Sequence, residues 1–213
     1  MIDRVRCEWR LKLCLAAVLA VVYSTGYLLI ERHLWRTPIR FPLSPVDRWI
    51  GFSPHWVWVY QSIYGIVILP YLATKRDEIR RYALGFALIM LMSFTCFMLF
   101  PVVCPRTQQP HASGMYGFLI RYDLPYNTFP SLHMAVATYS ALVATHVTRG
   151  NIHRVLRVLL PAWILLIGCS ALATKQHYSV DLLPGVLLGW IACRLTQAGA
   201  VSAQPTRRPL TAG

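Results

Sequence analysis

The 213-residue chain is 56% apolar and only 14% charged, with a mean hydropathy of +0.46. A soluble domain usually carries nearer to about a quarter charged residues, so this composition excludes an ordinary water-soluble enzyme and points to the membrane. The net charge of +13 does not argue for nucleic acid as a partner, because the Lys and Arg residues separate apolar runs instead of forming a patch with interleaved aromatics.

Six apolar runs approach the length of about 20 helical residues that crosses a hydrocarbon core. In chain order they are residues 11–30, 56–73, 82–103, 131–148, 155–173 and 180–196. The first follows Arg4, Arg6, Arg10 and Lys12 in the manner of a signal peptide, but its length and the lack of a cleavage site before Glu31 favour a retained span. The loop at 31–55 is rich in Pro, Trp and Arg and reads as an interfacial segment whose prolines block a regular helix. Its basic residues suit anionic headgroups and suit ordinary anchoring equally well. A second loop, 105–129, leads directly into the fourth run, and residues 200–213 read as a disordered tail. No internal repeat and no separate soluble domain stand out. The expected organisation is a cytoplasmic segment 1–10, one six-span domain over 11–199 and a cytoplasmic tail 200–213.

Orientation follows from the basic residues. The N-terminal segment, the loops around Lys75 and Arg154 and the tail hold fourteen of the 21 Lys and Arg, and the alternate loops hold seven. The positive-inside rule then puts both termini in the cytoplasm and the 131–133 and 174–181 segments on the opposite face. The six cysteines include no CxxC and no metal-ligand spacing, and Cys104, the nearest to those segments, receives no chemistry.

Two polar clusters interrupt this apolar pattern. Around His133, Asn127 or Thr128 can cap a helix, Pro130 suits its first turn and Ser131 adds a hydroxyl. The free amides of such a helix start suit a phosphate, and His133 there can protonate a leaving oxygen. An interfacial histidine bonded to water is the equally weighted plain reading. In TKQHYSVD, His177 and Asp181 are four residues apart, one helical turn, and Asp181 is the sole carboxylate expected inside any span. A carboxylate that orients an imidazole makes it more nucleophilic; the plain reading is a pair that ties two helices together.

The segments PSLH (Pro130–His133) and HYSVD (His177–Asp181), on successive spans, resemble the type-2 phosphatidic acid phosphatase superfamily, whose second and third motifs are PSGH and SRxxxxxHxxxD. The resemblance covers about residues 55–196 and implies an all-α integral membrane bundle of six transmembrane helices. It implies that His177 attacks phosphorus to give a phosphohistidine, that Asp181 orients His177, that His133 protonates the leaving group and that Ser131 contacts phosphate. No cofactor and no metal are implied.

Departures from the family pattern are specific. Ala171 stands where the third motif has its phosphate-binding arginine, although Ser170 precedes it. The first motif, KxxxxxxRP, is reduced to Arg106, with Leu99 and Thr107 at its lysine and proline positions. A phosphate needs cations, so Arg106, Lys175 and Arg121 are the candidate replacements. PSLH with KQHYSVD and no SR arginine looks most like the branch holding inositol phosphorylceramide synthases and their bacterial relatives. The expected partner is a membrane lipid phosphate, pyrophosphate or phosphodiester, with water, an alcohol or another lipid as acceptor, in a bacterial inner membrane with a periplasmic site. Two other readings fit the same residues: a transporter using His177 and Asp181 as a proton relay, and a zinc hydrolase liganded by His133, His177 and Asp181.

Overall fold

The computed structural model describes residues 8–73, 75–106, 112–148 and 150–202. His111, Arg149 and residues 203–213 lie outside that set, as does the start of the expected cytoplasmic segment. Among the described residues the protein is all helical, with isolated bridges but no strand.

The first apolar run forms α1 (Trp9–Arg32), which reaches beyond Ile30 and so carries a second carboxylate, Glu31, that is buried. Asp181 is therefore not the sole acidic side chain inside a long apolar helix. The 31–55 loop contains a one-turn helix, α2 (Pro45–Trp49). Proline does not block it, because Pro45 occupies the first helical position, where no amide is needed. Ser44 and Asp47 cap it reciprocally, with Asp47 N to Ser44 Oγ at 3.1 Å and Ser44 N to Asp47 Oδ2 at 2.8 Å.

The second run is broken. A 3₁₀ turn at Pro54–Trp56 leads into α3 (Val57–Gln61), and after Ser62 the chain continues as α4 (Ile63–Ala73). The third run is α5 (Arg76–Leu99), which starts six residues earlier than hydropathy indicates because Lys75 N is capped by Glu78 at 2.8 Å. It stops before Pro101, so residues 100–103 leave the helix. The 105–129 loop contains an amphipathic helix, α6 (Gly114–Tyr122), that buries Tyr116 and Leu119 and exposes Phe118 and Tyr122. The remaining runs form α7 (Leu132–Val147), α8 (Gly150–Ala173) and α9 (Ser179–Ser202).

Among the described residues four helices are long and apolar enough to cross a membrane: α1, α5, α8 and α9. At 16 residues α7 is shorter, about 24 Å at 1.5 Å per residue, and α4 has 11. α7 is central and packs against α4, α5, α8 and α9, while α4 lies on its outer side with Tyr64 and Ile68 exposed. The side chains of α7 are buried nearly throughout, including Ala135, Ala137, Tyr139 and Val143.

Two glycines one turn apart on α9 let its backbone touch α7. A Cβ added at Gly185 would lie 2.4 Å from the Ser131 carbonyl oxygen, and one at Gly189 would lie 2.2 Å from that of Ala135. Farther along, Tyr139 donates from its hydroxyl to the Tyr82 carbonyl at 3.1 Å and stacks on Tyr82 at 5.3 Å, while the Tyr82 hydroxyl meets Ser140 at 2.7 Å. The hydroxyls of Tyr82, Tyr139 and Ser140 are thus satisfied from neighbouring helices, whereas those of Ser93 and Thr138 have no partner within the protein.

Replacing Gly189 by Val should lower the melting temperature of the detergent-solubilised protein, with an overpacking cost of about 1–3 kcal/mol. Gly65→Ala, where nothing lies within 4 Å of the added methyl, should leave it unchanged or raised. Equal behaviour of the two variants would remove the close α7–α9 approach from the account.

Candidate active site

The two polar clusters meet where α7 and α9 begin. Ser131, not Thr128 or Asn127, caps α7, accepting from Met134 N at 3.3 Å. The two expected caps are engaged elsewhere: Thr128 Oγ1 donates to the Val102 carbonyl at 2.7 Å, and Asn127 Nδ2 to the Tyr27 carbonyl at 3.2 Å. Those bonds join the loop before α7 to the ends of α1 and α5. The Ser131 amide then donates to the Asp181 carbonyl at 3.1 Å, which ties the PSLH segment to the HYSVD segment.

His177 comes from the reversal between α8 and α9. Lys175 adopts φ +57°, a left-handed conformation that costs a non-glycine residue about 1–2 kcal/mol, and folds the chain back over the end of α8. The Ala171 carbonyl accepts from Gln176 N at 2.9 Å. His177 is buried, with Nδ1 3.1 Å from the Thr128 carbonyl and 3.5 Å from Asp181 Oδ2. A carbonyl oxygen only accepts, so Nδ1 carries the proton and Nε2 presents its lone pair. Nε2 lies 3.2 Å from Ser131 Oγ. Asp181 is fully buried; its Oδ2 accepts from Tyr178 N at 2.8 Å, and its Oδ1 has no hydrogen-bond partner within the protein. The orientation of His177 is therefore shared between a backbone carbonyl and a carboxylate, and the carbonyl is the nearer of the two.

His133 lies one residue inside α7, its ring centroid 6.2 Å from that of His177. Tyr60, on α3, stacks on His133 at 4.1 Å and places its hydroxyl 3.0 Å from Nδ1. Nε2 is left as the nitrogen not taken by tyrosine. No sequence signal pointed to Tyr60, because the contact spans 73 residues.

The three candidate cations have three different fates. Arg106 enters the site: its Nε donates to Gln176 Oε1 at 3.0 Å, and its guanidinium also bonds to the Asp123 carbonyl and, at 2.6 Å, to Asp123 Oδ2. Burial penalises its charge, but the Asp123 carboxylate outweighs that and holds the pKa above the ordinary arginine value. Lys175 turns away, donating from Nζ to the Asp47 carbonyl at 2.8 Å and the Ile50 carbonyl at 2.6 Å. Burial lowers its pKa and Asp47 opposes that shift. Arg121 is exposed on α6 and does not line the chamber. The reason for the second outcome is local: Asp47 Oδ1 accepts from Ser179 N at 2.7 Å, so α2 sits on the start of α9 and Lys175 closes that contact.

Arg106, His133, His177, Gln176, Cys104 and Asp123 surround a polar chamber of about 10 Å³, the space of roughly one water. Burial pushes the Cys104 thiol up to about 11, so it is a neutral wall at neutral pH. The position of the missing arginine, Ala171, is fully buried beside Tyr60 and Tyr116. Among the described residues, no three His, Cys, Asp or Glu side chains converge on a metal-binding point.

Comparison with known proteins gives one family and one solved structure. The PAP2 superfamily matches residues 47–195, about 70% of the chain. The crystal structure of Aquifex aeolicus LpxE is similar at 18% identity, covering 81% of this chain and 92% of that one, with a TM-score of 0.48. No curated protein matches the chain.

Lys175→Ala should act on stability rather than on phosphate binding. Loss of two charge-assisted bonds in a half-buried site should cost about 1–2 kcal/mol, read as a lower melting temperature. A variant of normal stability with a raised KM would instead put Lys175 at the anion.

Proposed function

The chain belongs to the PAP2 superfamily, and from that premise we propose that it is a membrane-embedded lipid phosphatase or phosphotransferase working through a phosphohistidine. The observation that carries this reading is the placement of His177: the Thr128 carbonyl and Asp181 face Nδ1, which leaves Nε2 to present its lone pair at Ser131 Oγ. Nε2 attacks phosphorus, the P–N bond forms and the P–O bond to the lipid breaks, with His133 giving its proton to the departing oxygen. A water or alcohol then gives its proton to His133 and attacks the phosphohistidine, which restores Nε2. Ser131 Oγ, 3.2 Å from Nε2, and the amides at the start of α7 border the position of the phosphoryl oxygens.

Arg106 supplies the charge that Ala171 lacks. Its bonds to Asp123 and Gln176 hold it at the chamber, and the Asp123 carboxylate occupies the guanidinium as a phosphate would. The chamber has room for roughly one water, so substrate entry requires that carboxylate to yield. Exchange of one anion for another keeps the buried guanidinium neutralised throughout.

The positive-inside distribution supports six spans, with α3–α4 and α7 as the second and fourth, cytoplasmic termini and a site on the non-cytoplasmic face. PSLH with KQHYSVD supports the phosphotransferase branch that resembles inositol phosphorylceramide synthases, while water as acceptor gives a plain phosphatase. Chemistry up to the phosphohistidine is common to both, and the acceptor separates them.

Purified protein incubated with lipid phosphates, pyrophosphates and phosphodiesters, with and without alcohols, should release inorganic phosphate or form a new phosphodiester. His177→Gln should abolish both products and any acid-labile phosphoenzyme; surviving turnover would remove His177 as nucleophile. His133→Ala should slow turnover about a hundredfold or more. Arg106→Ala should raise KM about 10–100-fold, with Arg106→Lys recovering part of the loss. An unchanged KM in Arg106→Ala would place the anion's grip elsewhere.

A further inference from the structure

A second, much larger cavity opens on the far side of His133. It has a volume of about 530 Å³ and lies between α1 and α4, with Phe86 of α5 and Val136 of α7 on its wall. Its lining is apolar and aromatic along almost its whole length, and Lys12 and Trp9 stand at the end remote from the site. Leu132 and His133 line both this groove and the polar chamber, so the two spaces meet at the imidazole. The groove exists because α1 packs along α5 and presents none of its apolar window as buried surface.

Its dimensions describe one occupant. From Trp9 to Tyr23 the α1 wall is about 20 Å long at 1.5 Å per residue. A single leaflet is roughly half of a core of about 30 Å, so the groove runs past the bilayer midplane. Apolar and aromatic along that length and continuous at one end with the polar chamber, the groove fits an extended hydrocarbon chain whose polar end lies at the imidazole.

We propose that the α1–α4 groove seats a long hydrocarbon chain of the substrate lipid, with its phosphate ester at His133 and His177. The proposal rests on the phosphatase or phosphotransferase reading above and extends it to the other half of the substrate. A chain leaving bilayer hydrocarbon for an apolar groove gains little in affinity. What the groove supplies is position: it holds the ester against the nucleophile instead of letting it wander in the plane of the membrane.

The test uses the full chain in phosphatidylcholine vesicles and a hexadecylphosphonate carrying a diazirine at mid-chain, whose carbon–phosphorus bond resists turnover. On irradiation, adducts should concentrate on groove residues such as Ala16, Ala20, Val67 and Ile68. Unlabelled hexadecylphosphonate should compete them away and hexadecanol should not. Ala20→Trp, which fills the groove, should lower these adducts at least fivefold. Adducts spread evenly onto Val158 and Leu165, which face outward on α8, or adducts that no phosphonate displaces, would overturn the groove as a substrate site. Phosphate release measured on the same preparation separates the two readings. Release with scattered adducts refutes the groove alone. Competed groove adducts without release from any lipid phosphate refute the catalytic reading and leave a lipid-chain site.

Discussion

The site depends on how closely the backbones of α7 and α9 approach. Gly185 and Gly189 remove the side chains that would separate the two helices, and the Ser131 amide reaches the Asp181 carbonyl. Two helix starts are thereby brought to one point, each with its own histidine. Without that approach Ser131 would not stand 3.2 Å from His177, and the loop before α7 would not offer its Thr128 carbonyl to Nδ1. In a membrane, where apolar burial does not itself hold helices together, contact between small residues is what lets such a junction form.

Around that junction, connecting segments take over the work that long side chains do elsewhere. The segment at 44–50 caps itself, then caps α9 through Asp47 and receives the Lys175 ammonium. Val102 pairs with both Ile39 and Asn127, which stitches three loops over the chamber. Arg106 spans from the loop after α5 to Gln176 beside His177. Asp47, Lys175, Arg106, Asn127 and Thr128 in this shell each bond to a group distant in sequence. His133 stands at the boundary between this polar shell and an apolar groove, stacked on Tyr60.

The roles of the cations changed most on going from sequence to structure. Lys175 is two residues from His177 in the chain, but its left-handed backbone turns the ammonium onto the end of α2. Arg106, 71 residues before His177, comes beside it through Gln176. Ala171, at the position of the family's arginine, is packed beside Tyr60 and Tyr116, and its carbonyl supports the reversal that carries His177.

Hydropathy alone determined that the chain is a helical membrane protein, because an apolar stretch must satisfy its own backbone in lipid and the helix does so locally. Local spacing paired His177 with Asp181, one helical turn apart, and the resemblance of PSLH and HYSVD to two family motifs is what joined His133 to them. The break in the second run, the helix within the 105–129 loop and the choice of Ser131 as cap were not legible, because each depends on which distant group takes a backbone amide or hydroxyl. The same holds for Tyr60, Thr128, Gln176 and Asp123 around the histidines, and for Arg106 rather than Lys175 at the chamber. Periodicity reports one chain against a solvent; the partners of a buried polar group are decided only when helices far apart in sequence are packed together.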